Sequence, residues 1–371
     1  MALETSFPVK PGNEKRLAVT MRDVAKTSGF SPATVSIVLN NAPLARYIAP
    51  ATKKRIEEAA KKLGYRPNAM ARFLRSRRSH SVGVMFFDIT DPYCVPVLRG
   101  IENALYQSSY VPIFADAHNQ RSRFEHCLEM LLEHHVEALI VVANWLFVDI
   151  QLLADLSKRN ITVVTICWEV PGDSVSSVIV DNEAGGRLAL EHLYHLGHRK
   201  IAFIRGPKML IDSAPRWKGT QKFAHSTGLE IDSSLVVQLP DVWDPNSGFE
   251  GGYRLTEELL QRKKKFTAVM AFDDLTALGA IRALTKAGIR VPEQCSVVGF
   301  DDVPLSAMAA PSLTTVRQPL EAMGNLAVNT VLEGINAGLE KRDWSISRHR
   351  LSPELVIRDS TRAAALTGSA D

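Results

Sequence analysis

Apolar positions change their period twice along the chain, and the changes mark out its organisation. Between Val19 and Asn40, VTMRDVAKTSGFSPATVSIVLN, the pattern is helical. Thr20 is placed to cap a first short helix, with Asp23 three residues on completing a capping box, and Val24 and Ala25 give that helix an apolar side. Gly29 permits the turn, Ser31 reads as the next N-cap, and Pro32 sits where a missing N–H costs nothing. Val35, Val38 and Leu39 then share one face of a second helix. After a loop over 41–49, a third helix is expected from about Pro50 to Leu63, with Ile56, Ala59, Ala60 and Leu63 as its apolar stripe and Gly64 as its stop. Two short helices joined by a tight glycine turn read as a helix-turn-helix, a motif that lays its second helix in the DNA major groove; an ordinary α-hairpin is the plain alternative.

From Ser81 the runs become those of buried strands. SVGVMFF, Val111–Ala115, Ala138–Val142 and Ile161–Ile166 form one series, with helical stretches between them. IAFIRG from Ile201, Leu235–Leu239, AVMAF at 268–272 and SVVGF at 296–300 form a second. Strands alternating with helices imply parallel sheets built from βαβ units. Two such series imply two similar α/β lobes, with a ligand crevice at the strands' carboxyl ends.

Charge sharpens this division. The net charge of +4 conceals 16 Lys/Arg against 5 Asp/Glu in residues 1–80, a balance of +11, while the remaining 291 residues hold 28 against 35. A basic head on a mildly acidic body is the footprint of a nucleic-acid-binding module attached to a sensor. The boundaries read from these shifts are a leader over 1–18, a DNA-binding domain over 19–66, a basic connecting segment over 67–79, a ligand-binding core over 80–362 and a disordered tail over 363–371. No apolar run approaches the roughly 20 residues of a membrane span, and the four cysteines (Cys94, Cys127, Cys167, Cys295) are far apart, which suits free thiols in a cytoplasmic protein.

Catalytic and metal signatures are missing from the sequence. There is no G-x-S-x-G, no phosphate-binding G-x-x-x-x-G-K-[ST] and no strand-following G-x-G-x-x-G. His192, His195 and His198 lie close together, but no H-E-x-x-H or cysteine partner accompanies them. The Asp pairs at 273–274 and 301–302 read as strand-end loops of a binding cleft. The expectation is a binding protein without enzymatic activity, metal or cofactor. An α/β enzyme with a DNA-binding head, or a sugar-binding transport protein, would each need features that this sequence lacks.

RDVAKTSGFSPATVSIVLN, KKLGYRPNAMARFL, VGFDD and PSLTTVRQP, in that order, closely resemble the lac repressor and purine repressor (LacI/GalR) family of bacterial transcription regulators, over about Val19 to Arg362. The resemblance implies a homodimer on a near-palindromic operator, each subunit carrying a helix-turn-helix head, a hinge helix and a two-lobed core like a periplasmic binding protein. It divides the core into an N-lobe of about 80–181 and 315–341 and a C-lobe of about 182–314 and 342–362, with two crossings, near Asp181 and near Thr314. It places DNA contacts at Thr20, Ser31, Pro32, Ala33, Thr34, Ser36, Ile37 and Asn40, with Asn68, Ala71 and Leu74 in the hinge helix and Leu74 as its minor-groove wedge. Where relatives often read bases with Arg or polar side chains, this chain has Pro32, Ala33 and Ile37, which favours apolar contact with thymine methyls and readout of DNA shape.

For the sensor, the resemblance implies effector contacts from Tyr93, Cys94, Trp168, Asp212, Arg216, Trp243, Asp273 and Asp301. Cys167 stands where sugar-binding members often keep an Asp. A bidentate Arg, several carboxylates and two tryptophans suit a polyhydroxylated ring with one apolar face. A neutral or amino sugar is the first expectation for the effector and a purine the second; core tryptophans and surface Asp turns are the plain alternatives.

Overall fold

A computed structural model of the chain describes residues 19–40, 42–66, 78–143, 153, 155–156, 161–170, 172, 175–241 and 247–364. The leader, Asn68, Ala71, Leu74, Trp243 and the tail beyond Ala364 lie outside the described residues. The chain divides into two compact units, 1–79 and 80–371.

The first unit is a small helical head. Helices α1 (Met21–Ser28), α2 (Pro32–Leu39) and α3 (Pro50–Leu63) pack Val24, Ala25, Val35, Val38, Ile56, Ala59 and Ala60 into one core, flanked by Phe30, Leu39, Leu63 and Tyr65. The caps are those the residues dictate. Thr20 and Asp23 close a reciprocal capping box, and Gly29 and Gly64 end α1 and α3 in the left-handed conformation that glycine adopts without strain. Within the expected loop, Pro43–Tyr47 winds into a 3₁₀ turn that Pro43 starts.

The second unit contains two sheets of matching topology. The first holds β1 (Ser81–Phe86), β2 (Val111–Asp116), β3 (Ala138–Val142), β4 (Thr162–Ile166), β5 (Ser176–Val180) and β11 (Arg348–Leu351), in the order β11-β5-β4-β3-β1-β2. The second holds β6 (Ile201–Arg205), β7 (Val236–Gln238), β8 (Ala268–Ala271), β9 (Ser296–Asp301), β10 (Thr314–Arg317) and β12 (Glu354–Val356), in the order β12-β10-β9-β8-β6-β7. Among the described residues every strand pairing is parallel except β10 with β12. Central strands such as β1, β3 and β4 are buried along their whole length, as parallel strands covered on both faces must be. Edge strand β2 tolerates Pro112 and leaves Val111 exposed.

Helices α4 (Cys94–Gln107), α5 (Arg121–Glu133) and α11 (Leu320–Glu340) cover the first sheet. Helices α6 (Asn182–His195), α7 (Ser213–Thr227), α8 (Ser247–Gln261) and α9 (Asp274–Lys286) cover the second, and the short α10 (Pro304–Met308) follows β9. Among the described residues three helix pairs cross on reciprocal glycines: Gly100 with Gly324, Gly186 with Gly219, and Gly252 with Gly279. A Cβ at any of them would overlap a backbone carbonyl of the facing helix, so only glycine permits these approaches.

The chain passes between the sheets three times, after β5 at Asp181, after β10 at Gln318–Pro319, and between β11 and β12 at Ser352–Pro353. This corrects the expected lobe division. Strand β10 belongs to the second sheet, so the N-lobe resumes after 317, not at 315; residues 348–351 belong to the first sheet, where Arg348–Leu351 pair with Ser177–Val180. The tail is also shorter than 363–371, since the Ala364 N–H donates to the Leu196 carbonyl.

Candidate functional site

In the head, α2 offers a mixed surface. Pro32 and Ala33 are exposed, Ile37 is half-buried outside the core cluster, and Thr34, Ser36 and Asn40 are half-buried. Several polar groups expected at phosphates already have local work. Ser31 Oγ accepts from the Thr34 N–H at 3.1 Å, and Asn40 Nδ2 donates to the Ser36 carbonyl and hydroxyl. Thr20 likewise bonds Asp23 with both its N–H and its hydroxyl. These bonds shape the two helix ends and leave the apolar surface of Pro32, Ala33 and Ile37 as the part of α2 without an internal function. The exposed flank of α3 carries Lys61 and, with the neighbouring Arg55 over the Phe30 ring, adds positive charge to the same unit.

In the second unit the carboxyl ends of both sheets open on one crevice with about 100 Å³ of free volume, several times the space one water needs. The N-lobe contributes Asp88, Asp91, Tyr93 and Cys94 from the segment after β1, and Cys167 from the end of β4. The C-lobe contributes Asp212 and Arg216 at the start of α7, Asp273 and Asp274 after β8, and Asp301 at the end of β9. Phe87, Val142, Leu210, Leu239 and Phe272 supply apolar wall. Both sheets have the order in which β1 and β3, or β6 and β8, diverge, and ligands collect at such switch points.

Arg216 is the electrostatic centre of the C-lobe wall. It is 6 % exposed. Its Nε donates to Asn182 Oδ1 at 2.8 Å, Nη1 to the Phe272 carbonyl at 2.9 Å, and Nη2 to Asp212 Oδ2 at 2.7 Å and Asp301 Oδ1 at 3.3 Å. Its guanidinium carbon lies 3.8 Å from the Phe300 ring centroid and 4.6 Å from that of Phe272. Sequence reasoning assigned it to effector oxygens, but these internal acceptors already engage it. Asp301 also accepts from Gln318 Nε2 at 2.6 Å, and its backbone is held at φ 112. The network Asn182–Arg216–Asp301–Gln318 thus connects two of the three inter-lobe passages to the crevice.

Crowding and burial shift the carboxyls. Burial, with the nearby charges of Asp273, Asp88 and Asp212, pushes Asp91 up to about 7 although the Tyr93 N–H donates to it. Burial also raises Asp273 and lifts Asp301 well above the usual carboxylate range, against the pull of Arg216. Asp274 is pushed up to about 7 by burial; it accepts from the Val303 N–H, Ser306 Oγ and Thr315 Oγ1, which marks it as a structural tie behind the crevice. On the opposite wall Tyr93 Oη and Cys167 Sγ lie 2.9 Å apart, and burial holds both neutral.

Six of the eight expected effector residues therefore meet in the crevice: Tyr93, Cys94, Asp212, Arg216, Asp273 and Asp301. Trp168 does not. It is 5 % exposed and packs in the hydrophobic core with Phe87, Phe124, Val163 and Val170, so the plain reading of a core tryptophan is correct. Trp243 falls outside the described residues. Sequence reasoning passed over Asp91, Asn182 and Gln318. Asp91 was legible as part of the strand-end run DITDPYC and Gln318 lies in the motif PSLTTVRQP, whereas Asn182 carries no local signal.

Comparison with known proteins gives a consistent result. A family model described as "Bacterial regulatory proteins, lacI family" matches residues 20–68, and one described as "Periplasmic binding protein-like domain" matches 190–361. The chain is 33% identical over 350 residues to the HTH-type transcriptional repressor PurR of Haemophilus influenzae (strain PittEE), covering 93% of this chain and 99% of that one. It is similar in structure to the lac repressor dimer bound to operator and the anti-inducer ONPF, with TM-score 0.79, 26% identity and coverage of 94% and 100%. It is also similar to the transcriptional regulator CelR in complex with cellobiose, with TM-score 0.67, 29% identity and coverage of 92% and 99%.

Proposed function

The chain belongs to the lacI family of bacterial regulatory proteins, and from that premise we propose that it is a cytoplasmic, homodimeric repressor whose operator affinity is set by a sugar bound in the crevice between its lobes. That it is a DNA-binding transcription regulator follows from the family. The choice of effector class rests on one observation: carboxyl groups from both lobes converge on a crevice at the strand ends, between apolar walls. Carboxylates accept hydrogen bonds from vicinal hydroxyls, while Phe272, Leu210 and Val142 can cover the apolar face of a ring.

The coupling has a physical route. A ligand touching Asp91 and Tyr93 on one wall and Asp212 and Asp301 on the other bridges the lobes, so it binds the closed arrangement better and shifts the population by that difference. Asp301 and Arg216 hold Gln318 and Asn182, so closure acts directly on two of the passages between the lobes. In the head, we assign base contact to Pro32, Ala33 and Ile37 and phosphate contact to Ser31, Thr34, Ser36 and Asn40, with Thr20 at the backbone. Asn68, Ala71 and Leu74 are assigned to the hinge helix on the resemblance alone. The domain limits that go with this reading are a head over 19–66, a hinge segment over 67–79 and a core from 80.

A thermal-shift screen of the full chain against sugars, sugar phosphates, nucleosides and purines tests the effector class. A ligand at about 100 times its dissociation constant adds about 2.7 kcal/mol. Stabilisation by sugars supports the reading, and stabilisation confined to nucleosides or purines overturns it.

A further inference from the structure

We propose that the effector carries a cationic group, of the ammonium kind found on an amino sugar, seated against Asp212 on the C-lobe wall. The inference rests on the crevice being the effector site and adds the charge of what fills it. Asp212 is 9 % exposed, and its two oxygens are unequally served. Oδ2 accepts from Arg216, while Oδ1 is buried and has no hydrogen-bond donor. A buried carboxylate oxygen without a donor is costly, and at the lining of an open crevice it is a demand for one from a ligand.

The surroundings choose the kind of donor. Among the described lining residues Asp88, Asp91, Asp212, Asp273, Asp274 and Asp301 face a single cation, Arg216. That cation is shared between Asp212 and Asp301, and its Nε and Nη1 serve Asn182 and the Phe272 carbonyl. No lysine or histidine stands among the described lining residues. A phosphorylated or carboxylated ligand would meet net negative charge with no uncommitted cation to receive it. A neutral hydroxyl could satisfy Oδ1, but an ammonium does so with a charge-assisted bond, roughly twice as strong, and offsets the crowded carboxyls as well.

The crowding leaves a second signature. Asp91, pushed up to about 7, holds a proton in a substantial fraction of molecules at neutral pH, and Asp273 and Asp301 are raised in the same direction. Tyr93, Cys94 and Cys167, which also face the crevice, stay neutral through burial. A cation arriving among these groups favours their ionised forms and expels protons, which a neutral ligand does not.

The test is calorimetric titration of the full chain with three matched ligand series at pH 7 in two buffers of different ionisation enthalpy. Each series is an amino sugar, its parent hexose and its N-acetyl form, in the gluco, galacto and manno configurations. In the series that binds, the amine is expected to bind about tenfold tighter than its neutral counterparts, the difference between a charged and a neutral hydrogen bond, with net proton release. Asp212→Asn, which also loosens the Arg216 pair, is expected to weaken both ligands but the amine about tenfold more than the parent hexose, so that the preference disappears. Equal or tighter binding of the hexose or N-acetyl form overturns the inference and leaves the sugar reading standing. Failure of all nine ligands overturns the inference, and the sugar reading falls with it when no other sugar stabilises the full chain in the thermal-shift screen. Amine binding without proton release places the ammonium outside the carboxyl cluster and overturns the assignment to Asp212.

Discussion

Replacing Arg216 by alanine would remove the only cation among the described crevice residues, and the structure sets the expected cost. Its guanidinium is 6 % exposed, paired with Asp212 and Asp301, bonded to Asn182 and the Phe272 carbonyl, and stacked on Phe300 and Phe272. Breaking a buried ion pair by deleting one partner costs about 3–5 kcal/mol, because the remaining carboxylates lose their counter-charge. At roughly 2–4 °C per kcal/mol for a domain of this size, melting should fall by roughly 6–20 °C at pH 8. The deficit should shrink toward pH 5. Asp301 is raised well above the usual carboxylate range even beside Arg216 and rises further without it, so at low pH it takes up a proton and the uncompensated charge disappears. Arg216→Lys should fall in between, since it keeps the charge but cannot reach Asn182, the Phe272 carbonyl and both carboxylates from one nitrogen. Differential scanning fluorimetry of the full chain from pH 5 to 8.5 measures all three. An Arg216→Ala protein that melts within a degree of the parent at pH 8, or whose deficit grows toward pH 5, refutes the account of this network.

Asp274 binds a proton in the folded chain up to about pH 7 and in the unfolded chain only to about 3.8. Its contribution to stability is therefore present at low pH and declines as pH rises from about 4 to about 7. Asp274→Asn can keep Oδ1 on the Val303 N–H and Ser306 while its amide donates to Thr315, so its melting temperature should match the parent's at pH 5.5 and equal or exceed it at pH 8.5; a loss at both pH values contradicts the raised carboxyl. Gly219→Ala sets a Cβ against the Glu183 carbonyl of the facing helix, and should cost about 1–3 kcal/mol in urea unfolding of the core. A change under about 0.5 kcal/mol shows that the α6–α7 crossing can open. Ile37→Arg should shift a binding-site selection toward guanine at one position in each half-site. An unchanged consensus removes Ile37 from base readout.

Much of this architecture was legible because buried parallel strands must be continuous apolar runs, and SVGVMF, ALIVV, TVVTI, AVMA and SVVGFD are such runs. Strands β11 and β12 were not legible, since RHRL is mostly polar, ELV is only three residues long, and both are edge strands whose pairing comes from distant partners. Without them the third passage between lobes could not be seen. The helix caps at Thr20, Gly29, Ser31 and Gly64 were readable because capping is local chemistry. The reciprocal glycine crossings were not, because each depends on a helix at another place in the chain. In the site, strand-end carboxylates announced themselves, but a tryptophan just past a strand gives no sign of which face it will join. Trp168 went to the core, and the lining position beside it went to Cys167. The state of Arg216 was hidden for the same reason: an arginine's sequence neighbours do not tell whether its hydrogens are spent on Asn182, 34 residues away, or kept for a ligand.

The central claim is that crevice occupancy changes operator affinity, and one titration tests it most directly. The full chain, bound to the near-palindromic duplex that it enriches from random DNA, is titrated by fluorescence anisotropy with and without a saturating crevice ligand. Coupling between the two sites of about 1–3 kcal/mol predicts a shift in operator dissociation constant of about 5- to 150-fold, and Arg216→Ala should abolish that shift at temperatures below its melting. An operator affinity that stays the same when the crevice is filled would contradict the account.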